Sequence, residues 1–304
     1  MKDLESSAHA PQILARQPSL DGGTRKDLLE LADGEQVEVV LLRYGPRRSA
    51  CISTQVGCAC GCVFCATGQM GFVRHLSSDE IVGQVLHVQR ELADQQERLT
   101  NVVLMGMGEP LLNYEQAMSA VRQIVDQRGL ALAPGRVTLS TVGITPGIEQ
   151  LAGETTPIKL AISLHAATDD VRDRLVPINR SYPLDSLFAA VERYAMRTQR
   201  RVMFEWVMID GTNDSQEQAN SLASRLSGLP CHVNLIRLNP TDHYDGQAAT
   251  DEAIESFAAV LDRSAIPHTM RQNRGRAIHA GCGQLRRRTI TRQAQTDRSV
   301  VAEG

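Results

Sequence analysis

From about residue 49 onward, short apolar runs rich in β-branched residues alternate with segments whose apolar positions recur every three or four residues. The runs NVVLMG (101–106), RVTLST (136–141), IKLAISL (158–164), RVMFEWVMI (201–209), HVNLIRL (232–238) and PHTMRQ (267–272) each predict a strand. Ser77 and Glu80 form a capping box ahead of Ile81, Val85, Val88 and Leu92, which recur at helical spacing. Further helices are predicted over 114–127, 183–197, 215–227 and 250–264, with Ser215 and Gln218 as a second capping box. A strand–helix unit repeated about six times predicts an α/β fold, its parallel sheet either open or curled into a barrel.

The ends read differently. Residues 1–30 carry Pro, Ser, Gly and charge without periodicity, and are expected to be disordered or loosely packed. Residues 31–50 read as a short extension with one strand, QVEVVLLR (36–43). The core is expected over 51–290, and 291–304 reads as a polar tail.

Composition narrows the setting. With 304 residues at 42% apolar content, the chain can bury a full core. It has no run of about 18 apolar residues to cross a membrane. The first residues lack the apolar stretch of a signal peptide, so a cytoplasmic location is expected. There, cysteines are thiols, metal ligands or catalytic groups. A net charge of −3 gives no global signal for nucleic acid. Locally, however, Arg271, Arg274, Arg276, Arg286, Arg287, Arg288 and Arg292 form a strip without an acidic residue, either a solvated face or a set of phosphate contacts.

Five of the seven cysteines fall within CISTQVGCACGCVFC (51–65). The spacing admits a zinc knuckle, although only Cys62 and Cys65 make the required pair, and zinc usually takes two. It admits a redox pair, which would need neither Cys58 nor Cys51. It also admits three thiolates, Cys58, Cys62 and Cys65, on a four-iron cluster with one iron left open.

The C-x3-C-x2-C loop, with Phe64 before its last cysteine, resembles that of the radical S-adenosylmethionine (SAM) enzymes. GMGEP (106–110) is similar to their SAM-binding segment. Together with QVGC (55–58), LSTVG (139–143), SLHA (163–166) and HAGCGQL (279–285), these stretches resemble the RlmN/Cfr family of RNA adenine methyltransferases from about Glu38 to Leu285. The resemblance implies a partial (β/α)6 barrel with a short N-terminal β-containing extension. It implies a [4Fe–4S] cluster on Cys58, Cys62 and Cys65, two SAM molecules per turnover, and a flavodoxin or ferredoxin as electron donor. The implied reaction is methylation of adenine at position 2 or 8 in ribosomal RNA and, for some members, tRNA. Adenine ring carbons are poor nucleophiles, so the family divides the transfer between two cysteines.

On this resemblance Cys282 receives a methyl group from a first SAM. A deoxyadenosyl radical from a second SAM then activates that methyl for addition to the ring. Cys51 releases the product through a transient disulfide with Cys282. Glu38 matches the proton acceptor. Gly108, Glu109, Ser140, Ser163, Leu164, His165 and Asn239 match SAM contacts; a glycine turn capping the strand would explain Gly108 but not Glu109, and the others are also at home as helix caps or turn residues. Without the family context, Cys282 reads as an inert thiol, Cys51 as a small buried side chain, and Glu38 as the solvent side of a strand. Cys60 and Cys231 are expected to be structural. The rival readings are a radical SAM enzyme with a non-RNA substrate and a zinc-binding RNA adaptor.

Overall fold

The computed structural model describes residues 11–241, 243–271 and 286. Ten strands form one sheet: β1 (Gln12–Pro18), β2 (Thr24–Glu30), β3 (Gln36–Tyr44), β4 (Arg47–Cys51), β7 (Asn101–Leu104), β8 (Val137–Thr141), β9 (Lys159–Ser163), β10 (Val202–Met208), β11 (Cys231–Arg237) and β12 (His268–Met270), adjacent in that order. The first four pair antiparallel, and from β4 to β12 every pairing is parallel. A separate hairpin pairs β5 (Gln55–Gly57) with β6 (Phe72–His75). The helices are α1 (Ala66–Gln69), α2 (Ser78–Asp94), α3 (Tyr114–Val125), α4 (Thr145–Leu151), α5 (Asp169–Leu175), α6 (Leu184–Thr198), α7 (Gln216–Leu226) and α8 (Asp251–Arg263). No helix among the described residues is long and apolar enough to cross a membrane.

Alternation along the strands divides the molecule into a packed outside and a polar inside. On β10, Val202, Phe204, Trp206 and Met208 are fully buried. Phe204 stacks on Phe188 of α6 at 5.8 Å, and Trp206 meets Phe257 of α8 at 5.3 Å. These rings hold the helices against the outer face, each contributing roughly 1.5–3 kcal/mol by burial. The residues between them, Glu205 and Val207, face a cavity also lined from β7, β8, β9 and β11. Side chains from so many neighbouring strands reach one cavity because the sheet curls around it.

The helix signals were local and held well. Ser77 caps α2, its Oγ accepting from Glu80 N at 3.2 Å while Glu80 Oε2 accepts from Ser77 N at 2.8 Å. The second box is only half made. Ser215 Oγ accepts from Gln218 N, but the Gln218 side chain turns inward to Ala167 N and Thr168 Oγ1, where it fixes the loop after β9. Helices α1, α4 and α5 are too short for the period to register.

The expectation of a loose segment over 1–30 is corrected for residues 12–30, which form β1 and β2 of the main sheet. The core, expected from 51, shares its parallel sheet with β4, which starts at Arg47. β2, TRKDLLE, looks soluble because four of its seven residues are charged, yet six of the seven are buried. It buries charge by pairing it. On one face Asp27 takes Arg16 and Arg25 and meets His87 of α2 at 2.8 Å; on the other, Lys26 pairs with Glu38. Residues 291–304 lie outside the described residues.

Candidate active site

A cavity of about 320 Å³ lies inside the curl of the sheet, at the C-terminal ends of the parallel strands. Its lining includes Cys58, Cys62 and Cys65, then Gly108 and Glu109 after β7, Ser140 on β8, and Ser163 and His165 on and after β9. This is the end at which parallel α/β sheets bind ligands.

The loop carrying the cysteines is held on all sides. Cys58 N donates to Gly71 O at 2.8 Å, Val63 N to Leu175 O at 3.1 Å, and Gln69 Nε2 to Val63 O at 2.6 Å. The thiol of buried Cys60 donates to Cys58, which holds Cys58 below the usual thiol range and raises Cys60. Burial raises Cys62 and Cys65. Arg172, wholly buried, is the compensating cation. It donates from Nε to Leu164 O and from Nη1 to Asn179 Oδ1, and binds Val142 O, tying β8 and β9 to α5. Burial lowers its pKa to about 10, partly offset by Cys62.

The donor set fits a cluster better than a single ion. Among the described residues, the trio of ligand-type side chains whose donor atoms converge within 4.8 Å is Asp27, His87 and Glu91, not the three cysteines. A mononuclear zinc site draws its thiolates to one centre. A multi-iron cluster binds each thiolate at a different iron. Arg16 and Arg25 already supply the Asp27–Glu91 group with cations.

GMGEP lies against the segment joining β4 to β5. Gly106 N donates to Ile52 O at 2.9 Å, and Met107 O accepts from Thr54 N and Gln55 N. A Cβ on Gly106 would fall 2.6 Å from the Ile52 carbonyl, and one on Gly108, at φ +101°, 2.5 Å from Gln55 Cβ. The glycines therefore permit a close backbone approach. Glu109 is buried, accepting from Leu111 N at 2.9 Å and Val142 N at 2.8 Å. Burial nevertheless pushes its carboxyl up to about 7. A ligand ammonium beside it would restore the charged form. Glu109→Gln is expected to weaken SAM binding roughly ten- to a hundredfold with the iron–sulfur spectrum intact. In the wild type, affinity should rise with pH through about 7, as Glu109 ionises, and the variant should lose that rise. Isothermal titration across pH checks both; equal affinities would leave Glu109 as only a cap.

His165 is held at φ +61°, a region that normally favours glycine. Its Nδ1 accepts from Val207 N at 3.1 Å, and its carbonyl accepts from Asn213 Nδ2 at 2.7 Å. Burial lowers its pKa to about 3, so the ring is neutral with its proton on Nε2. Phe64 meets it edge-on at 4.9 Å. Ser140 Oγ and Ser163 Oγ lie 3.2 Å apart.

Two of the expected SAM contacts do not line the cavity. Leu164 falls on the outward phase between Ser163 and His165 and is fully buried in the core. Asn239 lies half-buried beyond the end of β11. Glu38 is not on the solvent side of its strand but 2% exposed. Cys51, half-buried at the end of β4, is pushed up to about 11 by burial, with Met105 N donating to it. All six described cysteines are free, Cys231 among them, and Cys282 lies outside the described residues. Sequence reading missed a polar group on the inner face: Glu205 accepts from Asn234 Nδ2 at 2.8 Å and from Arg271 Nη1 at 3.3 Å. Arg271 stood out only as the first member of the basic strip.

The family described as the radical SAM superfamily matches residues 52–223. A protein named dual-specificity RNA methyltransferase RlmN 1, from Myxococcus xanthus, is 54% identical over 277 residues, covering 91% of this chain and 77% of the relative. A probable dual-specificity RNA methyltransferase RlmN from Moorella thermoacetica is 48% identical, covering 90% of this chain and 79% of its own length. The crystal structure of a radical SAM methyltransferase from Sphaerobacter thermophilus is similar at a TM-score of 0.89 and 46% identity, covering 93% of this chain and 84% of that one.

Proposed function

The chain belongs to the RlmN/Cfr family of radical SAM RNA methyltransferases, and from that premise we propose that it methylates position 2 or 8 of adenine in RNA, ribosomal RNA first and tRNA second. Membership of the superfamily implies SAM and an iron–sulfur cluster. The observation that carries the reading is the cavity that Cys58, Cys62 and Cys65 share with Glu109, Ser140, Ser163 and His165.

In this reading Cys58, Cys62 and Cys65 hold a [4Fe–4S] cluster, with Cys60 fixing Cys58 and Arg172 balancing the thiolate charge. When bound, the cluster would supply the electron for reductive cleavage of SAM, drawn from a flavodoxin or ferredoxin in the cytoplasm. Glu109 takes the SAM ammonium, the Gly108 backbone lies beside it, and Ser140, Ser163 and neutral His165 offer hydrogen bonds to the carboxylate and ribose. Cys282 accepts the methyl of a first SAM, so each turnover uses two. Cys51 releases the product through a disulfide that exists only during turnover, and Glu38 takes the ring proton. The arginines of the basic strip other than Arg271 and Arg286, which pair with Glu205 and Glu35, would hold phosphates flanking an adenine turned out of its stack.

Nucleoside mass spectrometry of ribosomal RNA and tRNA, from cells with and without the gene, tests the assignment. A methylated adenosine is expected only with the gene present. Identical RNA from both, beside intact SAM cleavage by the protein, would point to a non-RNA substrate.

A further inference from the structure

Two charged side chains line the cavity without a part in the reaction described above: Glu205 on β10 and Arg271, which follows β12. Ser163 on β9, Glu205 on β10 and Asn234 on β11 lie opposite one another, so one row of side chains crosses three strands. Ser140 extends the row, its Oγ 3.2 Å from that of Ser163. Asn234 Nδ2 donates to Glu205 Oε1 at 2.8 Å, and Arg271 Nη1 to Oε2 at 3.3 Å, so each carboxylate oxygen is held by its own donor. The Glu205 side chain is 7% exposed and that of Arg271 45%, so the pair reaches from inside the curl towards solvent.

Apart from the cysteines, the other polar side chains of the lining have partners or roles. Glu109, Ser140, Ser163 and His165 face SAM in the proposed reading. Thr141 Oγ1 accepts from Gly143 N and Ile144 N in the turn after β8, and Thr67 bonds Cys65. Recognition of the base itself is still to be supplied. A carboxylate has about four lone-pair sites, and these two donors use half of them. Among the described residues the Arg271 guanidinium bonds Glu205 alone. The pair therefore offers an acceptor beside a donor. Adenine carries the complement on two edges, its N6 amino donor beside the N1 or the N7 acceptor, whereas guanine puts the O6 acceptor where adenine has that donor.

We propose that Glu205 and Arg271 determine specificity for the adenine of the RNA: Glu205 accepts from its exocyclic amino group, and Arg271 donates to the ring nitrogen beside it. This rests on the RNA adenine reading above. SAM carries an adenine too, but Cys51 places the pair on the RNA side. Burial raises the Cys51 thiol and the charge of Arg271 opposes that rise, so the guanidinium lies near the thiol assigned to product release.

The holoenzyme and its variants are compared on RNA carrying either adenosine or purine riboside, which has hydrogen in place of the amino group, at the methylated position. The preference of Glu205→Ala for adenosine, measured as methylation at limiting RNA, is expected to be about ten- to a hundredfold smaller than that of wild type. The analogue's own reactivity cancels in that ratio. Glu205→Gln, which keeps one acceptor oxygen, is expected to fall between them, and it carries the comparison if Glu205→Ala loses its cluster absorbance. Equal preference in wild type and variants overturns the contact. Weaker SAM binding by Glu205→Ala also overturns it, and gives the pair to SAM. Arg271→Met is read by competition binding of RNA carrying 1-deazaadenosine or 7-deazaadenosine. Wild type is expected to lose about tenfold with one of the two, and Arg271→Met with neither. The same loss in both proteins, or none in wild type, overturns the role of Arg271. If wild type cleaves SAM but leaves adenosine RNA unmethylated, the RNA reading falls, and not merely this contact.

Discussion

Alanine at any one of Cys58, Cys62 or Cys65 is expected to abolish iron incorporation and SAM cleavage together. The three thiols line one cavity on a loop pinned by Gly71, Leu175 and Gln69, so no neighbour can swing in to replace a lost one. Cys60 is the instructive control. It lies two positions from Cys58 and Cys62 and lines the same cavity, but stands outside the C-x3-C-x2-C spacing. Cys60→Ala should keep the cluster. Iron and sulfide content, the visible spectrum and deoxyadenosine release read all four variants. A stoichiometric cluster in any of the first three removes that cysteine from the ligand set. Its loss in Cys60→Ala would add a ligand.

The second large effect separates the two thiols, Cys51 and Cys282, to which the proposed mechanism gives different steps. Cys51→Ala should still cleave SAM and still carry a methyl on Cys282, because neither step uses Cys51. It should then stall after addition to the ring, leaving RNA covalently attached through Cys282, with turnover at background. Cys282→Ala should show neither a methylated cysteine nor attached RNA. The asymmetry follows from giving one sulfur the carbon and the other its release. Burial pushes Cys51 up to about 11, so the thiol is largely protonated at neutral pH until a partner arrives. Intact-mass and denaturing-gel analysis of the two variants, incubated with RNA, decides the matter. If neither traps RNA where wild type methylates it, the division of labour is wrong.

What the sequence disclosed was whatever sits close together along the chain. The cysteine loop, GMGEP and the capping box of α2 each lie within a few residues, and the strand runs were apolar enough to stand out. The missing pieces are charged residues that the fold draws inward. Glu205 alternates with Phe204 and Trp206, and Glu38 with Val37 and Val39, a pattern that on a single strand looks the same whether the polar side meets water or the inside of a curl. Arg172 has the spacing of a surface helix residue, yet it is wholly buried because three carbonyl or amide oxygens from β8, β9 and the turn after α5 surround it. β2 was missed for the same reason, its charges being neutralised by partners on other elements. Leu164 shows the converse: a matched triplet spans three residues, and alternation sends the side chain of the middle one into the core.

The bonds on Glu38 also set an order of assembly. Lys26 reaches it from 12 positions away through a meander of neighbouring strands, whereas the bond from Arg286 spans 248 positions. Closing a loop of that length is slow relative to forming a hairpin. A ribosome-bound chain that has emerged as far as β4 can already pair Lys26 with Glu38. In the proposed mechanism it stays silent towards RNA until the stretch bearing Cys282 is synthesised and Arg286 docks on Glu38.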